Sequence, residues 1–118
     1  MNPYSNIQNW YHSQCNGDWE HSYGIKIGNL DNPGWDVKID LIDTELEDAI
    51  FQEISYGIGD DGHDSGDNWM ICKRVGNTFE GFGGTFKLDE ILQVFLDWAN
   101  KKSKEAEQVG AGDAEEAV

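Results

Sequence analysis

In the stretch HSQCNGDWEH, residues 12–21, the residues His12, Cys15, Asp18 and His21 recur every three positions, and each carries a metal-ligating atom. Tetrahedral zinc asks for four converging ligands, usually supplied as Cys-x-x-Cys or His-x-x-x-His pairs. On a helix, His12 and Cys15 would lie one turn apart and could share an ion. Asp18 and His21 stand beyond Gly17 and would have to fold back to join them. The spacing therefore disfavours zinc, and Cys15 reads as a small core residue that closes a helix. A reactive thiolate is the other chemistry open to Cys15. Such a thiolate sits in a cradle of backbone amides and is held ionised by nearby cations. Here Asn-Gly-Asp-Trp-Glu-His follows the cysteine, with two carboxylates and no arginine, and the one arginine of the chain is Arg74. Negative neighbours raise a thiol pKa. A small thiol- or metal-dependent enzyme centred on Cys15, sulfurtransferase-like, is kept as the alternative function.

Two further patterns hold oxygen or glycine at suggestive density. Residues 59–68, GDDGHDSGDN, offer Asp60, Asp61, Asp64, Asp67 and Asn68 as ligands for a divalent cation. They lack the twelve-residue spacing and terminal Glu of an EF-hand, so a solvated loop is the default and a weak divalent site stays open. GFGGTF, residues 81–86, lacks the Lys and the spacing of a phosphate-binding loop. No Ser-His-Asp order or dinucleotide fingerprint is present. No catalytic residue, metal or cofactor is expected.

What remains is recognition. The chain carries 23 acidic residues against 8 basic ones, a formal charge of −15. That field repels nucleic acid and anionic membrane and attracts basic protein surfaces, and it also serves solubility. Trp19 stands between Asp18 and Glu20, and Trp35 follows the DNPG turn at 31–34. Aromatic anchors ringed by acids suit an interface with a cationic partner. Asp18, Trp19, Glu20, His21, Asp31, Asn32 and Trp35 are the expected partner-binding residues, with Asp60, Asp61, Asp64 and Asp67 as second choice. The competing reading places both tryptophans in the core, more so for Trp35, which opens an alternating strand.

These residues need elements to hold them. Ile7, Trp10, Tyr11 and Cys15 recur at helical spacing, with Asn2 or Ser5 to cap the start and Asn16-Gly17 to stop it. Tyr23–Ile27 and Trp35–Leu41 alternate as half-buried strands. DNPG joins them in a hairpin, with Pro33 fixing φ and Gly34 accepting positive φ. Thr44 and Glu47 resemble a capping box. A turn near Asp43–Glu45 followed by a strand over Ala49–Tyr56 is expected. WMICKRV and TFEGFGG form a second hairpin about Gly76-Asn77. Leu88, Ile91, Leu92, Phe95 and Ala99 line one face of a final helix, with Asp89 and Glu90 at its positive end. The fold expected is α+β: an antiparallel sheet of four to five strands, a meander of hairpins, with the N- and C-terminal helices packed mainly on one face. Residues 1–102 form one domain, and 103–118, without an aromatic, are read as a flexible acidic tail. There is no membrane-length apolar run and no secretory leader pattern, so a cytoplasmic protein with two reduced thiols is expected.

The motifs together resemble a known family. WYHSQCNGDWEHSYGIKIGNLDNPGWDVKIDL, then TELE, WMICKR and FEGFGGTFKLDEIL, are similar to the immunity protein 53 family of bacterial polymorphic-toxin systems. The likeness spans about residues 8–99, and CNGDWEH…LDNPGW is its specific part. Asn29 stands where the family usually has Thr, Thr85 where Pro is common, and the loop at 59–68 looks like a variable insertion. The resemblance implies a non-enzymatic cytosolic protein that binds and neutralises a cognate toxin, often a nuclease.

Overall fold

The computed structural model describes residues 2–58 and 68–111, with side chains as far as residue 101. Helix α1, Pro3–Gln14, starts where Asn2 accepts a hydrogen bond from the Tyr4 amide at 2.8 Å. Pro3 at the first position needs no hydrogen-bond partner for an N–H that it lacks. The helix turns Ile7 and Trp10 into the core. It ends at Cys15, whose backbone is extended, and Gly17 takes φ +88° in the corner that follows. One further helical turn, α2, covers Trp19–Ser22.

Strands β1 (Ile25–Leu30) and β2 (Gly34–Asp40) form the first hairpin, with Leu30 opposite Gly34. Gly34 does not take positive φ; it is extended strand residue, and its need for glycine has another cause. A Cβ there would stand 2.3 Å from the Gly83 carbonyl oxygen of the adjacent strand. Strands β4 (Met70–Val75) and β5 (Thr78–Gly83) form the second hairpin about Gly76-Asn77.

The expected strand at Ala49–Tyr56 is reduced to β3, Ile54–Tyr56, paired with β4. Arg74 and the Trp98 indole N–H take the Ala49 and Ile50 carbonyls out of a strand ladder, and local side-chain bonds build the expected turn before them. Thr44 Oγ1 donates to the Leu41 carbonyl and accepts from the Leu46 amide, and Glu47 accepts from the Asp43 amide. Such local bonds compete with a strand ladder. The sheet order is β1-β2-β5-β4-β3, antiparallel throughout. The path therefore departs from a continuous meander once: β5 returns to lie beside β2, and β3 is carried to the far edge.

Register puts Trp35, Val37 and Ile39 of β2 on one face with Phe79, Gly81 and Gly83 of β5 and with Met70 and Cys72 of β4. Helix α3, Leu88–Ala111, lies on this face and presses Ile91, Leu92, Phe95 and Ala99 against it. Each large apolar side chain buried this way contributes about 1.5–3 kcal/mol. The backbone of α3 runs on to Ala111, and residues 112–118 of the expected tail lie outside the described residues. Helix α1 packs beside α3, with the Trp10 ring meeting Phe95 edge-on at 4.8 Å.

Candidate functional site: two ends of one hairpin

The corner between α1 and β1 is tied from both sides. Asn16 Oδ1 accepts from the Asp18 and Trp19 amides, while the Glu20 carboxylate accepts from the Asn16 and Gly17 amides at 2.9 and 2.8 Å. Hydrogen bonding from Glu20's own backbone amide, then from those of Asn16 and Gly17, holds its carboxyl below the usual Glu range. Glu20 thus organises the corner as well as charging it.

The same ties swing Trp19 inward, and its expected outward display is corrected. The residue is 3% exposed, its indole N–H donates to the Ile42 carbonyl at 2.8 Å, and its ring meets Trp10 and Tyr11 edge-on. Burial of a large aromatic with its polar atom satisfied outweighs display. Asp18 is exposed, and its side chain makes no capping bond. His12 and His21 are exposed too, and Cys15 Sγ donates to the Tyr11 carbonyl at 3.3 Å. Among the described residues no three potential ligands gather about a common point, so the every-third-residue pattern does not converge. Beside the corner lies a cleft of about 500 Å³, lined by Tyr11, Glu20, His21, Tyr23, Lys26 and Asp40 among others.

Asp31, Asn32 and Trp35 belong to the other end of the hairpin. Six residues of β1 separate them from the corner, roughly 20 Å at about 3.3 Å per strand residue. The structure therefore divides the expected site in two. At this tip Asp31 and Asn32 are exposed, and Trp35 is half-buried with its indole N–H fixed to the Thr85 carbonyl at 2.9 Å. A cleft of about 230 Å³ opens there, lined by Tyr4, Trp35, Thr85, Phe86, Leu88 and Asp89. Phe86 is 81% exposed. Tyr4 and Phe86 were not singled out from sequence. The available signal is weak: Tyr4 stands at helical spacing from Ile7 and Tyr11 and so reads as core, and Phe86 falls in the short connection before α3.

Cys72 is fully buried beneath α3, and burial, followed by the charge of Glu90, pushes its thiol up to about 12. It is free, as is Cys15. Arg74 is engaged internally: it donates to the carbonyls of Leu46, Glu47, Ala49 and Gly76 and to Asn77 Oδ1. Asp60, Asp61, Asp64 and Asp67 lie outside the described residues.

The fold is that of a small α+β domain, with carboxylates and aromatic rings at both ends of its first hairpin. The sequence model of the immunity protein 53 family matches residues 4–100, most of the chain, and the chain belongs to that family. Membership supports an immunity role and implies a cognate toxin as partner. No curated protein matches the chain, and no solved structure does.

Proposed function

We propose that the protein neutralises its toxin by laying its acidic surface over a basic, nuclease-type surface, without chemistry of its own, in the cytoplasm. The observation that carries this reading is how little of the negative charge is neutralised within the fold. Among the described residues there are two ion pairs, Lys38–Asp36 at 3.0 Å and Lys87–Glu90 at 3.6 Å, and Arg74 is spent on backbone oxygens. A nuclease cleft lines itself with Lys and Arg to hold phosphates, so displayed carboxylates can occupy the same field. Asp18, Glu20 and His21 at the corner and Asp31, Asn32 and Trp35 at the tip form the proposed contact surface. Trp19 supports the corner from beneath.

The test is charge reversal where the carboxylate is displayed and the fold does not depend on it. Asp18→Lys combined with Asp31→Lys is suited; Glu20→Lys is not, because it would also open the corner. The double variant is expected to slow association with the toxin domain encoded beside the immunity gene, and to weaken protection of cells that express it. Unchanged association and protection would sink the acidic-surface reading.

A further inference from the structure

Resting on that reading, we propose that the cleft between Tyr4, Trp35 and Phe86 receives an arginine side chain of the toxin. Three aromatic side chains and Leu88 wall the cleft, and the acidic residue in its lining is Asp89. Among the described residues no Lys or Arg lines it. The exposed Phe86 ring stands beside Tyr4 and Trp35 in the cleft lining, and its apolar surface gains when covered. At about 230 Å³ the cleft is smaller than the 300–1,000 Å³ usual for small-molecule sites and has room for one long side chain. Trp35 is pre-set, since its indole N–H is already bound to Thr85, so little order is lost on docking.

The charge selects the occupant. The N-terminus of α1 already has the Asn2 side chain on its Tyr4 amide, and that of α3 carries Asp89 and Glu90 in its first turn. Their positive ends are thereby offset, and the Asp89 carboxylate together with exposed Asp31 on the adjacent turn leaves this end negative. A planar guanidinium stacks on aromatic faces and reaches a carboxylate at the same time, which a lysine ammonium does less well. An arginine stem lying along Phe86 and Tyr4, with its head toward Asp89, satisfies both the apolar and the charged parts of the cleft.

A titration of the full chain with a blocked Gly-Arg-Gly peptide tests this, read on the Trp35 indole N–H resonance. Gly-Lys-Gly and the neutral Gly-citrulline-Gly peptide serve as comparisons. A saturable shift with arginine, weaker with lysine and absent with citrulline, is expected. Phe86→Ala and Asp89→Asn should each weaken it by roughly 2- to 5-fold. Asn at 89 keeps an oxygen for the Glu90 amide that Asp89 now accepts, and Phe86 is too exposed for its loss to threaten the fold. A Trp35 resonance that arginine does not move, or that citrulline moves equally, overturns the assignment. Against the toxin domain, Phe86→Ala and Asp89→Asn are expected to weaken protection. If both protect fully while Asp18→Lys with Asp31→Lys does not, the cleft assignment falls and the acidic surface stands. If every variant protects fully, both fall.

Discussion

Arg74 shows how a single side chain can decide the shape of a segment. Five hydrogen bonds run from its guanidinium, four of them to backbone carbonyls on either side of the β4 strand end. They gather the Leu46–Ala49 turns by binding the Leu46, Glu47 and Ala49 carbonyls, of which that of Leu46 also accepts from the Ala49 amide at 3.1 Å. Lysine has the charge but not the planar fork, so it can meet only part of this set. Arg74→Lys is expected to lower unfolding stability by about 2–3 kcal/mol in a urea titration, the cost of leaving charge-assisted bonds unmade. A change within error would mean that water serves these carbonyls equally well. Trp19 teaches the complementary lesson. In sequence it looks displayed because acids flank it on both sides. In the fold the Asn16 and Glu20 side chains lock the backbone so that Asp18 points out and the indole points in. The hydrogen bonds that set this direction join residues whose spacing can be read, but the direction itself cannot.

At the scale of elements, the helix–sheet interface depends on missing side chains. A Cβ on Gly81 would stand 2.4 Å from Ile91 Cγ2, and one on Gly83 would stand 2.8 Å from Lys87 Cβ. These two strand positions let α3 settle against β5 closely enough for Phe79 and Phe95 rings to meet at 5.2 Å. Overpacking of this kind typically costs about 1–3 kcal/mol. Gly81→Ala is expected to cost that much, and Ile91→Leu, which lacks the branched γ2 methyl, to recover part of it. Gly34→Ala meets a backbone oxygen instead, so no side-chain replacement at Ile91 should rescue it. Equal rescue of both alanine variants, measured by thermal unfolding, would show that the contacts are not the cause. The hairpins and both long helices were legible in the sequence, because alternation, helical spacing and turn residues agree there. Of the strand expected over Ala49–Tyr56, only the last three residues form β3. A mixed run such as DTELEDAIFQEISY carries both periods, and the choice fell to Thr44, Glu47 and a distant arginine.

Over the whole molecule, charge and shape act together. An acidic body with two internal ion pairs among its described residues projects a negative field into solvent, which would draw the cationic partner proposed above from a distance. The association rate with the toxin domain is therefore expected to fall about tenfold or more as salt rises from low to well above physiological strength, while dissociation changes less. A rate indifferent to salt would separate recognition from charge. Net charge and the family motifs could be read before any fold was known. The division of the expected surface into two could not, because DWEH and LDNPGW are close in sequence and only the strand between them sets them apart.

That separation has a consequence for how specificity can change over time. Groups about 20 Å apart on a stiff ribbon are beyond the range at which substitutions ordinarily interfere. On the proposed contact surface, a lineage facing an altered toxin could rewrite one end of the hairpin while the other keeps its grip, so that no intermediate step leaves the cell unguarded.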